Sequence, residues 1–261
     1  MTSNIELGDL SNPSKTNDIP WPSPLPLSSR FKNRSPKNGV CTFRYMGRSV
    51  FEAVWTKATS NWYSARERYR QLYLYGPDGV GKSHLMAALV FYLVRQGHRV
   101  VYIPDCRAAL ANPFHWIQGA LLFAFYGDSD LYYLISEAEN MDDLIAVVTG
   151  HCRPPFYLIV NQRNALEVDV GKIDLQESTK VAMYCDLGKI GAFQKYIFSA
   201  SAGAESNSVA EGQQTGIEVI RFNAGMTPVR PQFSEYLVLH SLGRDRHLVQ
   251  MLRPLVPRGT P

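Results

Sequence analysis

The sequence has few cysteines and no long apolar run, and these two absences exclude several classes of protein. Among its 261 residues, the four cysteines Cys41, Cys106, Cys152 and Cys185 are far apart and form no CxxC pair. Neither a zinc site nor a disulfide framework is indicated, and a reducing compartment fits best. No run reaches transmembrane length, and residues 1–10 are too polar for a secretory signal. We therefore expect a soluble, intracellular protein, cytoplasmic or nuclear.

Acidic residues are scarce in one part of the chain. Residues 31–70 hold nine Lys or Arg against two Glu, within a chain whose formal charge is +4. Such a basic segment is either a solvated flank or a contact surface for a protein or nucleic acid. The segment carries no stacking motif of a known nucleic-acid module. Within it, Gly47 and Arg48 either lie near a nucleotide base or form a surface turn.

The first 39 residues are rich in Pro, Ser and Asn, with four prolines in near alternation between positions 20 and 26. This composition predicts a mostly disordered lead without regular packed elements. From residue 40 the chain becomes globular, and its length suffices for one α/β core.

Residues 76–83 match the pattern Gly, four residues, Gly-Lys-Ser, which wraps the phosphates of a nucleotide. The glycines allow backbone N–H groups to point inward at an anion, Lys82 meets the β- and γ-phosphates, and Ser83 ligates Mg²⁺. The alternative is a flexible glycine turn that binds nothing. The predicted nucleotide-binding residues are Gly76, Pro77, Asp78, Gly79, Val80, Gly81, Lys82, Ser83 and His84.

The flanks of this phosphate loop support a nucleotide site. Residues 71–75 form a short apolar run typical of a buried strand, and residues 83–95 have apolar positions at helical spacing before Gly97. In the order strand, loop and helix, the helix dipole and its free N–H groups face the phosphates.

Further apolar runs predict strands over 99–103, 156–160, 195–198 and 217–222, with helices over 49–59, 107–150 and 173–190 between them. This alternation predicts an α/β fold, a three-layer P-loop NTPase sandwich with a mainly parallel sheet. We expect the ASCE or RecA-like order, in which one strand separates the loop strand from the candidate metal strand. The domain spans 40–261 and ends in a small helical tail, near 233–242 and 246–252.

Polar residues follow two of these strands. Asp105 either positions the attacking water or Mg²⁺, or caps the next helix. Asn161 and Gln162 stand where phosphate-loop enzymes carry a metal carboxylate and a glutamate base, so metal affinity and water activation both suffer. The predicted catalytic residues are Lys82, Asp105 and Gln162, and the predicted Mg²⁺ ligands are Ser83 and Asn161. A hydroxyl among residues 199–201 either senses the γ-phosphate or caps a turn.

With these motifs in place, the chain resembles the ATPase module of Crinkler-type effectors of fungi and oomycetes. The resemblance runs from about Tyr45 to Thr227 and rests on residues 73–84, 100–107, 160–166, 199–202 and 222–226. The family pattern has Asp in place of Asn161 and Gly in place of Ala224. The resemblance implies a nucleotide-dependent module that acts inside host cells, often joined to a nuclease-like domain.

The sequence thus predicts binding of ATP or another nucleoside triphosphate with Mg²⁺, and Mg²⁺-dependent hydrolysis. One alternative is a nucleotide-binding switch without turnover, in which nucleotide orders the Gly-rich loop at 203–216. The other is a nucleic-acid-associated protein that uses the basic segment 31–70.

Overall fold

The computed structural model describes residues 4–25, 31, 41–60, 71–77, 79–153, 155–167, 175–192, 194–201, 217–222 and 237–238. The helices are α1 (Leu7–Ser11), α2 (Val50–Thr59), α3 (Lys82–Arg95), α4 (Cys106–Ala109), α5 (Pro113–Ala124), α6 (Ser129–Glu137), α7 (Met141–His151) and α8 (Leu175–Gly191). The strands are β1 (Thr16–Pro20), β2 (Thr42–Met46), β3 (Gln71–Gly76), β4 (Val100–Ile103), β5 (Tyr157–Val160), β6 (Lys195–Ser201), β7 (Ile217–Arg221) and β8 (Leu237–Val238).

The central sheet has the order β4-β5-β6-β3-β7-β8. Its first five strands are parallel, and β8 pairs antiparallel with β7. Strand β6 lies between β3, which leads into the phosphate loop, and β5, which Asn161 follows directly. The expected strand order is therefore confirmed.

Helices cover both faces of the sheet. Alternate residues of β3 point to opposite sides: Tyr73 and Tyr75 join a core with residues of α4 to α8, whereas Leu72 and Leu74 join a core with residues of α2 and α3. Because every strand residue from Leu72 to Tyr75 is buried, the run reads as continuously apolar in the sequence. The chain has the three-layer α/β sandwich of a P-loop NTPase.

The lead differs from its prediction. Residues 7–11 form α1, and β1 pairs antiparallel with β2, with Ile19 opposite Phe43. Leu10 and Ile19 are fully buried in the α2 and α3 core. The prediction of no regular packed element was therefore wrong for residues 4–25, because a few well-spaced apolar side chains suffice to dock a polar segment. The domain boundary at residue 40 stays a prediction.

Trp21 shows how the lead is attached. Its ring lies 4.9 Å from the ring of Phe31 and 5.9 Å from that of Tyr102 on β4, while its indole N–H donates to the Leu25 carbonyl at 3.1 Å. The proline-rich stretch therefore contacts the sheet through an aromatic cluster.

Several predictions fall largely outside the described residues. These are the Gly-rich loop at 203–216, the tail helices, and residues 32–40 and 61–70 of the basic segment. Within the tail, Leu237 and Val238 form a strand where a helix was expected, since they pair with the outer edge of β7. No helix among the described residues is long and apolar enough to cross a membrane.

The packing of the lead predicts the effect of one substitution. Leu10→Ala should lower the free energy of unfolding by about 2–5 kcal/mol, because it removes a fully buried side chain. Ser14→Ala, at an exposed position of the same segment, should change it by no more than about 0.5 kcal/mol. Denaturant titration measures both values, and equal stability of the two variants would contradict the packed lead.

Candidate functional site

The phosphate loop joins the end of β3 to the start of α3. Gly79 and Gly81 have φ of 82° and 81°, the left-handed region that side chains disfavour. At Gly76 a Cβ atom would lie 2.5 Å from the carbonyl oxygen of Phe222, which follows β7. The loop therefore needs these glycines for its turn and its packing. Asp78 lies outside the described residues.

The beginning of α3 is open to an anion. Gly81 is its N-cap and offers no side chain to the first helical N–H groups. These groups have no partner within a helix, and the dipole of a 14-residue helix adds positive potential there. A phosphate is the ligand that such a glycine loop and helix end accept.

Lys82 lies inside the curve of the loop. Its Nζ donates to the carbonyl oxygens of Gly76 at 2.5 Å and Pro77 at 2.7 Å, and the residue is 7% exposed. The loop's own carbonyls thus hold the ammonium group at the position where the motif requires a cation.

Arg48, for which the sequence left a position near the nucleotide base or in a surface turn open, is a second cation at the loop. Its guanidinium donates to the carbonyl of Val80, and it lies so close to Gly81 that a Cβ there would overlap it. Burial lowers the pKa of this guanidinium, although arginine stays charged. The backbone N–H of Arg48 donates to the carbonyl of Leu10 at 2.8 Å, which ties the lead to the site.

The sequence signal for Arg48 was the pair Gly47-Arg48. A side chain at position 47 would overlap the carbonyl oxygens of Asp9 and Asn12, so glycine allows α1 to approach closely. The pair is therefore no simple surface turn.

His84 does not direct its ring at the loop. The imidazole packs 4.6 Å from the ring of Phe31 and 6.3 Å from that of Phe43. Burial, and secondly the charge of Arg48, lower its pKa, so the ring is neutral at pH 7. A role in nucleotide binding is left to its backbone N–H in the first turn of α3.

Asn161 connects the elements of the site through its side-chain amide. Its Oδ1 accepts from the hydroxyl of Ser83 at 3.2 Å and from that of Ser199 at 2.7 Å, while its Nδ2 donates to the Pro104 carbonyl at 2.8 Å. The side chain is fully buried. The amide therefore links α3, the end of β4, β5 and β6.

The orientation of this amide follows from its partners. The Pro104 carbonyl can only accept, so the nitrogen must face it, and the two hydroxyls then donate to Oδ1. Two donors occupy the two lone pairs of Oδ1. A metal ligand at Asn161 does not fit this arrangement, because no lone pair is left for it. The Ser83 hydroxyl acts only as a donor in its hydrogen bond to Asn161. Its role as a Mg²⁺ ligand stays a prediction.

Gln162 has a strained backbone and an unpaired side chain. Its φ of 62° and ψ of 43° are left-handed, which costs about 1–2 kcal/mol in a non-glycine residue. Its backbone N–H donates to Ser199 Oγ at 3.2 Å, whereas its buried Nε2 has no hydrogen-bond partner. The next residue, Arg163, lies 4.3 Å above the ring of Phe198 and 4.5 Å from that of Tyr184. Packing of Arg163 fixes the chain just after Gln162.

Asp105 caps α4. Its Oδ1 accepts the backbone N–H groups of Arg107 at 3.0 Å and Ala108 at 3.2 Å. The sequence left a catalytic role and a helix-capping role open, and these two hydrogen bonds correspond to the capping role. A catalytic role for Asp105 stays a prediction.

The charged residues around the site do not form a metal centre of their own. No group of three or more His, Cys, Asp or Glu capable of holding a metal ion occurs in the described part of the chain.

Comparisons with known proteins add little to this geometry. No protein-family model and no curated protein matches the chain. A solved structure described as a DNA replication initiation factor matches at 15% identity, over 66% of this chain and 43% of that chain, with a TM-score of 0.34. The chain thus spans less than half of that protein.

The amide network predicts how a carboxylate would behave at position 161. Asn161→Asp should lower the free energy of unfolding by about 1–3 kcal/mol at neutral pH, because an acceptor then faces the Pro104 carbonyl. Burial should raise the pKa of the new carboxyl above its unfolded value of about 3.9, so the folded state binds more protons. The deficit should therefore grow as the pH rises above about 4 and level off above the folded pKa.

Unfolding midpoints of the wild type, Asn161→Asp and Asn161→Ala over this pH range measure the effect. The alanine variant loses all three hydrogen bonds of the amide without gaining a charge, so its deficit should not change with pH. A pH-independent deficit in Asn161→Asp would contradict the buried network.

Proposed function

We propose that the chain binds a nucleoside triphosphate, with ATP as the first candidate, in the loop at 76–83. The observation that carries this proposal is the left-handed glycine loop that leads into the uncapped end of α3 with Lys82 inside its curve. Lys82 exchanges its bonds to the Gly76 and Pro77 carbonyls for bonds to phosphate oxygens. The backbone N–H groups of the loop and of the first turn of α3 bind the remaining oxygens.

Hydrolysis is a second, slower activity. Mg²⁺ bound with the nucleotide would neutralise phosphate charge, and Ser83 is the residue that would contact it. Gln162 can orient a water by a hydrogen bond from its unpaired Nε2, but an amide cannot take the proton of that water. Turnover is therefore slow, and nucleotide binding is the main function, as in a switch.

The resemblance to Crinkler-type effectors is consistent with this proposal. The residues that carry the resemblance include the ends of β3, β4 and β5, together with the loop, Pro104 and Asn161. We propose a nucleotide-dependent module of that kind. A nucleic-acid partner is less favoured by the described part of the basic segment, since Arg48 packs on the loop and Arg44 pairs with Asp18 at 3.2 Å.

Calorimetric titration of the purified chain with ATP tests nucleotide binding. Lys82→Ala should weaken binding by about tenfold or more, because one charge-assisted contact contributes about 1.5–3 kcal/mol. Lys189→Ala is the control, since Lys189 is exposed on α8 and pairs with Asp186 at 3.4 Å. Absence of binding in the wild type, or equal affinity of the two variants, would contradict the site.

Phosphate release tests the role of Gln162. Gln162→Ala should lower the rate by about tenfold, the effect of one lost hydrogen bond, with the dissociation constant of ATP unchanged. A parallel loss of affinity would indicate a binding role, and an unchanged rate would remove Gln162 from the reaction.

A further inference from the structure

We infer that this site binds its triphosphate almost independently of divalent cations, with Lys82 and Arg48 supplying the counter-charge. The inference rests on the proposed nucleotide binding and specifies that the triphosphate does not need a bound divalent cation.

The first support is the saturation of Asn161. The side chain at the position expected for a metal carboxylate is neutral, fully buried and bonded on both sides, to Ser83 and Ser199 through Oδ1 and to Pro104 through Nδ2. Mg²⁺ usually binds through one or two carboxylates together with substrate phosphates. Because Asn161 carries no negative charge, Mg²⁺ bound to the nucleotide would add little to the attraction between the nucleotide and the protein.

Asp105 acts as a helix cap in the described structure. It follows Pro104, close in sequence to the amide network, but its Oδ1 is occupied by two backbone N–H groups of α4. A cap of this kind stabilises the helix start and would have to break before the same oxygen could bind a metal.

The second support is the pair of cations at the loop. Lys82 is held by the Gly76 and Pro77 carbonyls, and Arg48 is held by the Val80 carbonyl. Arg48 Nε is buried without a hydrogen-bond partner, so this guanidinium has an unused donor. Partly buried charges interact with phosphate more strongly than charges in water, and a guanidinium can bind phosphate through two parallel N–H groups.

Calorimetric titration with ATP in the presence of excess Mg²⁺, and separately in EDTA, tests the inference. The two dissociation constants should agree within about threefold, a difference below 1 kcal/mol. A loss of about tenfold or more in EDTA would overturn the inference and leave the proposed nucleotide site intact. Absence of binding in both buffers would overturn both.

Variants separate the roles of the two side chains. Arg48→Gln should weaken ATP binding in EDTA by about tenfold, Arg48→Lys should weaken it less, and Arg44→Gln, an exposed arginine of β2, should leave it unchanged. Asn161→Asp should create a difference between the two buffers, with tighter binding in Mg²⁺. Unfolding midpoints without nucleotide identify variants that fail to fold. If folded Arg48→Gln binds as tightly as the wild type in EDTA, Arg48 supplies no counter-charge and the inference is wrong.

Discussion

The geometry of the site depends on one side-chain amide, that of Asn161. It accepts hydroxyl protons from α3 and β6 and donates to the end of β4, so it holds three elements around the end of β5. A carboxylate could make the first two contacts but not the third, because it has no proton to donate at neutral pH. Asn at this position is therefore required by the hydrogen bonds of the packing. The same residue leaves the site without a carboxylate for metal binding.

The docked lead also contributes to the geometry of the site, through Arg48. Leu10 and Ile19 pack into the core beside α2 and α3, and the Leu10 carbonyl accepts the backbone N–H of Arg48. Gly47 lets α1 approach at this point. The docked lead therefore helps to hold Arg48 where its guanidinium contacts the phosphate loop. Loss of that docking would loosen the second cation of the site.

Local sequence patterns predicted the sheet and the loop well. Buried parallel strands such as β3 and β5 are continuous apolar runs, and Gly81-Lys82-Ser83 opens a helix after one of them, so periodicity and motif agree. The docked lead was missed because its few apolar residues are scattered among prolines, and their burial depends on partners far along the chain. The sequence left Arg48 open between a position near the nucleotide and a surface turn for a similar reason: 32 residues separate it from Val80, and a sequence does not give that distance in space.

The neutrality of Asn161 also determines the field that a ligand meets. A carboxylate bonded to Ser83 at the start of α3 would offset part of the positive potential of Lys82, Arg48 and the helix dipole. An amide in the same place keeps the hydrogen bonds and leaves that potential undiminished. Backbone carbonyls accept hydrogen bonds from both cations, which offsets part of the cost of their burial. The residue that weakens the metal site is therefore the one that preserves the attraction of the loop for phosphate.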